Sequence, residues 1–191
     1  MYFEKLTPIL NDIENKDIDV AGGSVVSMVL AITNSLINYT CNLTKDKKKY
    51  EDVRDEVLKI DEQAKKLQQK NLIAIDKDEE ILRKMLQAYK NRKEEPEKLE
   101  QIYMESAEFC VSVTENALET LKLAEQISKI GNRMLASDFK ICMLYAYTSV
   151  EASLENVKIN IDSIKDEEYR NKLEVKCEEL YVEAKKIKGR E

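Results

Sequence analysis

No histidine occurs among the 191 residues, which removes the usual general base, the usual metal ligand and every Ser-His or Cys-His nucleophile scheme. Di-iron chemistry of the ferritin type goes with it, because that needs Glu-x-x-His pairs. The four cysteines, Cys41, Cys110, Cys142 and Cys177, lie far apart and form no CxxC, so neither a zinc knuckle nor a redox pair is expected, and no metal site is. Chemistry must therefore run on Asp, Glu, Lys, Tyr, Cys or backbone dipoles. Four places concentrate such groups. Gly22-Gly23-Ser24 holds the only Gly-Gly pair and precedes a long apolar run. Its glycines either let backbone N–H groups at a helix start approach a ligand, or simply permit a tight turn against a neighbouring helix. Lys45, Lys47, Lys48 and Lys49 form the densest basic run, either a seat for the carboxylates of an anionic ligand or a solvated loop. Asp76 and Asp78, two apart on a helix, point to different faces, so at most one can line a site. Asp138, after Ser137, opens a later helix and either aims inward or serves as a plain N-cap.

The elements that must position these residues read as helices. With 4 Gly, 2 Pro, 43% hydrophobic and 36% charged residues, the chain lacks the punctuation that many short strands require, and its length suits one domain, 1–191. Thr7-Pro8 predicts the start of a short first helix, and 15–23 a loop, with Ser24 capping the next helix. From Val25 to Leu43 the run is apolar almost all round, as in a central buried helix. After the break at 42–50, Val53, Val57, Ile60, Ala64 and Leu67 recur at alternating steps of four and three, and the same rhythm continues through Asn71, Ala74, Asp78, Ile81, Met85 and Ala88. Either the contact face rotates there onto Leu72, Ile75, Leu82 and Leu86 and leaves Asn71 and Asp78 in solvent, or a polar pocket lies inside the bundle. Pro96 restarts a helix that ends near Ile130, with Gly131-Asn132 supplying a left-handed stop. A fifth helix carries Ile141, Tyr145, Ser149, Ala152, Asn156 and Ile159, and Asp166 or Glu167 opens a sixth with Tyr169, Leu173, Leu180 and Ala184. The expectation is an all-α, up-and-down bundle of about six helices.

A formal net charge of −6 repels nucleic acid and anionic membranes, so neither is expected as a partner. No apolar run is read as a membrane span, and the first residues, MYFEKLTPIL, are acidic and helical rather than signal-like. The expected location is the cytoplasm.

Taken together and in order, Gly22-Gly23-Ser24, the Asn42–Tyr50 block (NLT-x-x-KKKY), the Asp-rich helix closing on Ala88-Tyr89-Lys90, and Gly131-Asn132 with Ser137-Asp138 followed by Asn156-Val157-x-Ile159-Asn160 resemble the cyclodeaminase/cyclohydrolase family. The resemblance implies an all-α fold, usually a homodimer, acting on formimidoyl- or methenyl-tetrahydrofolate as substrate with no further cofactor. It also implies a substrate site drawn from Gly22, Gly23, Ser24, Asn42, Thr44, Lys47, Lys48, Tyr50, Asp78, Tyr89, Lys90 and Asn132. Asp138 or Asp76 is then the expected acid/base carboxylate and Lys49 the cation, acting by proton transfer around a carbon already activated by two nitrogens. Val20 and Ala21 stand where the family has Pro and Gly, Asp46 where Gly is common, Cys110 where Pro is usual and Ala152 where Gly is frequent. These departures motivate an alternative, a non-catalytic helical dimer that binds folate or a partner protein.

Overall fold

The computed structural model describes residues 1–15 and 20–189. Among them are six α-helices and no strand: α1 (Tyr2–Glu14), α2 (Gly22–Lys45), α3 (Arg54–Lys90), α4 (Pro96–Ile130), α5 (Ala136–Ile161) and α6 (Glu167–Lys188). Short 3-10 segments at Lys48–Val53 and Arg133–Leu135 precede α3 and α5. Helices α2 to α5 run up and down around one core, and α6 packs outside α4 and α5. The core joins Leu30, Ile37, Ile60, Leu121, Ile127 and Val150, each almost wholly buried.

The four-three rhythm on α3 is its buried seam, through Val57, Ile60, Ala64, Leu67, Ala74, Ile81 and Ala88. The seam does not rotate. Leu72 and Leu86 are exposed, whereas Asn71 is fully buried and Asp78 half-buried, so the polar residues lie inside the bundle, as a polar pocket requires.

Helix α2 runs antiparallel to both α3 and α5. Ser24 meets Asp78 and Asn38 meets Asp61 on α3, while Cys142 of α5 lies 4.0 Å from the Thr33 carbonyl. Its buried face is not purely apolar, because Ser24, Ser27, Thr33, Asn34, Asn38, Thr40 and Thr44 all lie inside. Most bond backward along their own helix or to a neighbour: Asn34 Nδ2 donates to the Leu30 carbonyl and, at 3.0 Å, to Thr120 Oγ1 of α4. Asn38 Nδ2 donates to Asp61 at both its carbonyl and Oδ1. Contrary to the sequence reading, α2 is long and apolar enough to cross a membrane; more than half of its most apolar stretch is buried within the bundle. Its outer face is also apolar, with Ile32, Tyr39 and Leu43 exposed.

Three local expectations are corrected. Helix α1 starts before Thr7, which bonds back to the Phe3 carbonyl, and Pro8 sits inside the helix; the amino terminus 2.6 Å from Glu4 Oε2 ties down the first turn instead. No residue of α1 is buried. Gly131 is extended, at φ −73° and ψ 176°, and no described residue has a positive φ. Its missing side chain matters for room, since a Cβ there would press on the Phe139 ring and the Ile127 carbonyl. On α5 the expected stripe is inward only near its middle: Ser149 is buried, but Ile141, Tyr145 and Ile159 are exposed. The buried face runs instead through Phe139, Cys142, Met143, Ala146, Val150 and Val157. Helix α5 is apolar on two faces, so periodicity alone does not say which is inward. The start of α6 is as read, with Asp166 accepting from the Tyr169 N–H, and the residues 16–19 of the expected loop lie outside the described residues.

Candidate active site

Ser24 does not cap α2; Ala21 does, from an ordinary extended conformation that an alanine adopts freely (φ −119°, ψ −168°). The capping acceptor comes from another helix. Asp78 Oδ2 of α3 takes the Ser24 N–H at 2.7 Å and the Ser24 hydroxyl at 2.8 Å, placing a carboxylate at the positive end of the α2 dipole. Gly23 leaves the room for it: a Cβ at Gly23 would overlap Asp78, with the carboxyl carbon only 2.7 Å away. At Gly22 a Cβ would meet Asn156 Oδ1 of α5 at an ordinary 3.7 Å. Behind this corner Asn160 Nδ2 donates to the Asn156 carbonyl and lies 3.8 Å from Cys110 Sγ. Burial, with the nearby Asp78 charge adding to it, pushes the Cys110 thiol up to about 12, so Cys110 packs here as a neutral group and is no nucleophile. Asp76 points away and is exposed. The paired aspartates thus divide as their spacing requires, one onto α2 and one to solvent.

The opposite end of α2 gathers the second set. The Asn132 N–H donates to Thr44 Oγ1 at 3.1 Å, Tyr50 Oη lies 3.5 Å from Asn132 Oδ1, and the Arg133 N–H donates to Tyr50 Oη at 3.1 Å. Asn132 also caps the short turn ahead of α5 by accepting from the Met134 N–H. Thr44, Tyr50 and Asn132 therefore latch three chain segments together. Lys47, Lys48 and Lys49 stand exposed beside the latch, and a depression lined by Lys45, Asp46, Lys47, Lys48, Glu51 and Arg54 opens there. The Lys49 ammonium sits 5.9 Å from the Tyr50 ring centre, and Asn42 accepts from Lys45. Neither Ser137 nor Asp138 caps α5; Leu135 does, and Asp138 is a half-buried residue of the first turn, where a negative charge suits the helix dipole.

Gly22 and Thr44 are separated by the length of α2, about 33 Å at 1.5 Å per residue. Within one chain the residues singled out in the sequence hence fall into two clusters, Gly22, Gly23, Ser24, Asp76 and Asp78 at one end, and Asn42, Thr44, Lys47, Lys48, Lys49, Tyr50, Asn132 and Asp138 at the other. Tyr89 and Lys90 join neither cluster, since they lie about 16 Å beyond Asp78 along α3.

Residues 5–179, nearly the whole described fold, match the formiminotransferase-cyclodeaminase family. The chain belongs to that family. A curated relative, the methenyltetrahydrofolate cyclohydrolase of Methylorubrum extorquens, is 26% identical over 170 residues, covering 85% of this chain and 82% of its own. The solved structure of formiminotetrahydrofolate cyclodeaminase from Thermotoga maritima superimposes with a TM-score of 0.84 at 27% identity, covering 95% of this chain and 94% of that one. The up-and-down helical architecture is thus that of a folate cyclodeaminase. Two polar residues inside the bundle or at the glycine corner, Asp61 and Asn156, carry no signal of their own in the sequence. Asp61 is buried beside Asn38, with the exposed Lys65 ammonium 2.7 Å away, and looks from sequence like any acid on a charged helix. Asn156 stands in the sequence only as part of the Asn156-Val157-x-Ile159-Asn160 motif and of a stripe that the fold turns partly outward.

Proposed function

We propose that this protein is a folate one-carbon enzyme, acting on the carbon that formimidoyl- or methenyl-tetrahydrofolate carries between two nitrogens. The observation that carries the reading is the amino end of α2, where Gly22, Gly23, Ser24, Asp78 and Asn156 assemble a polar corner in a chain of the formiminotransferase-cyclodeaminase family. In cyclodeamination a folate nitrogen attacks the formimidoyl carbon, loses its proton to a base, and ammonia leaves after protonation. In cyclohydrolysis water adds to the cationic methenyl carbon, a base takes the proton, and one carbon–nitrogen bond breaks as its nitrogen is protonated. Both need only a carboxylate and a cation held near the carbon. Asp76 or Asp138 supplies the carboxylate and Lys49 the cation; tetrahydrofolate arrives as substrate, with no other cofactor.

The two clusters belong to one site if two chains build it. On the outer face of α2, Val25, Val29, Ile32, Leu36, Tyr39 and Leu43 repeat at alternating steps of four and three, partly or largely exposed. That stripe is self-complementary when two copies of α2 run antiparallel about a two-fold axis between Ile32 and Leu36, with Val25 against Leu43 of the second copy and Val29 against its Tyr39. The same arrangement brings Lys47, Lys48, Lys49 and Asp138 of one copy to Gly22, Gly23, Asp76 and Asp78 of the other, lysines against aspartates. We therefore read the protein as a homodimer, with folate's reacting end at the glycine corner and its glutamate carboxylates on Lys47 and Lys48. Four free thiols, Cys41, Cys110, Cys142 and Cys177, suit a reducing, cytoplasmic location.

The test is ultraviolet monitoring of methenyl-tetrahydrofolate, and of formimidoyl-tetrahydrofolate with ammonia release, for the wild type and for Asp138→Asn, Asp76→Asn and Lys49→Ala. Turnover of one substrate, lost in Lys49→Ala and in one aspartate variant with helical circular dichroism intact, is the expected result. Near-normal turnover in all three would sink the residue assignment. No rate change with either substrate, joined to thermal stabilisation by folate, would favour the non-catalytic dimer instead.

A further inference from the structure

Helix α1 is amphipathic, and its apolar side is bare. Tyr2, Phe3, Leu6, Ile9, Leu10 and Ile13 fall within about a third of its circumference, with Glu4, Asn11, Asp12 and Glu14 outside that arc. No residue of α1 is buried, Phe3 and Leu10 are 76% and 54% exposed, and α1 makes no substantial contact with another helix. A lone helix of 13 residues is marginal in water and draws its stability from covering such a face. The described residues of this chain do not supply that cover. A second bare patch lies at the carboxyl end of α2, where the Asn132 N–H bonds to Thr44. Met134, 85% exposed, is the barest large apolar side chain outside α1, and Ile141 and Tyr145 continue the patch along α5. They flank the outer face of α2, because Cys142 and Asn156 on the adjoining side of α5 meet Thr33 and Gly22.

We propose that α1 is an exchanged arm, its apolar face seated on a second copy of this chain along Met134, Ile141 and Tyr145. The inference rests on the antiparallel pairing of two α2 helices given above, in which Gly22 of one copy comes level with the carboxyl end of α2 in the other. Only residues 15–21 separate α1 from Gly22, a reach of at most about 25 Å, so α1 is delivered beside Met134 of the second copy. The lengths agree, since α1 spans about 20 Å and the stretch from Met134 to Tyr145 about 17 Å. Charge agrees as well. Asp12 and Glu14 are exposed at the end of α1 that adjoins Gly22, and Lys47, Lys48, Lys49 and Arg133 are exposed at the receiving end, an attraction that fixes the direction in which the arm lies. A pair of α2 stripes alone is a narrow contact beside the roughly 1,600 Å² of a standard interface. Two arms, one passed each way, widen it on both sides of the two-fold axis.

The experiment measures the dimer dissociation constant of the full chain by sedimentation. Leu6→Glu combined with Leu10→Glu removes the apolar contact but alters no residue that the single chain buries, so the bundle still folds. The double variant should raise that constant at least about tenfold, since each copy loses two seated apolar side chains. The seat itself is read by disulfide formation in a Cys177→Ser background, between a tagged copy carrying Leu10→Cys and an untagged copy carrying Met134→Cys. Mild oxidation should give a mixed dimer band carrying one tag. Dimer affinity within twofold of wild type in the double variant overturns the arm and leaves the α2 pairing standing. No bridge between the copies, or one formed only inside a single chain carrying both cysteines, also overturns it, because α1 then covers its own bundle or lies elsewhere. A wild type that stays monomeric at every concentration overturns the dimer reading and this inference with it.

Discussion

Gly23→Ala tests why the start of α2 is a glycine. Gly23 has no positive φ to explain it, so the physical reason is the approach of Asp78, whose carboxyl carbon and Oδ2 would lie 2.7 and 2.9 Å from an added Cβ. The carboxylate must then withdraw and give up both bonds from Ser24. Bonds to a charged acceptor contribute about 1.5–3 kcal/mol each, and because both end on one half-buried oxygen the pair is set at about 2–3 kcal/mol. Replacing a helical glycine by alanine returns about 0.5–1 kcal/mol. The net loss is about 1–2 kcal/mol, a fall in Tm of about 2–8 °C for a chain of this size. Gly22→Ala gives the control, because its Cβ meets only Asn156 at ordinary distance; Tm should stay level or rise by a few degrees. Thermal melts followed by circular dichroism compare the two, and Gly23→Ala combined with Asp78→Ala should cost clearly less than the sum of the singles. Equal Tm for Gly22→Ala and Gly23→Ala, or strict additivity with Asp78→Ala, would refute the steric account.

Asp61→Ala should lower stability by about 1–3 kcal/mol in urea titrations, since it removes the charged one of the two acceptors of the buried Asn38 Nδ2 and leaves only the residue-61 carbonyl; Lys65→Ala, which removes only the exposed side of the Asp61 ion pair, should cost far less. Burial raises the thiols of Cys41, Cys110 and Cys142 from 9.0 to about 12. In the unfolded chain these groups ionise near 9 while the fold keeps them neutral, so stability is full below pH 9 and falls progressively between pH 9 and about 12; melts from pH 7 to 11 should show the decline, and Cys110→Ala should lessen it. A disulfide reagent at pH 8 should modify the half-exposed Cys177 first, the other three reacting only as the protein unfolds. Ile32→Glu, on the outer face of α2 and 59% exposed in one chain, should leave helicity intact but yield a monomer in analytical ultracentrifugation; a dimer unchanged in affinity would exclude the α2 stripe as the interface.

The helices and their order were legible because periodicity and sparse Gly and Pro mark them, and the seam from Val57 to Ala88 needed nothing else. Whether Asn71 and Asp78 face in or out was not legible, since a rotated face and a polar interior make the same pattern in sequence; α2, supplying Ser24 opposite Asp78, decides it. The stripe on α5 failed for a related reason. A helix apolar on two faces gives no single direction, and Ile141, Tyr145 and Ile159 proved to be on the face that this chain leaves uncovered. The residues of the candidate site were legible by type and resemblance, but not their division between two ends of α2, which depends on a helix length that motifs do not express. Thr7-Pro8 misled because proline favours a first turn and is costly further in, whereas here Pro8 lies inside an α1 that no core contact buries and whose start is held by the amino terminus bonded to Glu4.

Because α2 receives its capping carboxylate from a residue 54 positions later, its first turn is complete only when α3 has been laid along it. Hydrogen exchange at the Ser24 amide therefore reports the opening of the α2–α3 hairpin as a unit, not the local fraying of a helix end. During synthesis the same dependence delays the ordering of the glycine corner until Asp78 has left the ribosome, so that corner is set after the α2–α3 core has begun to pair.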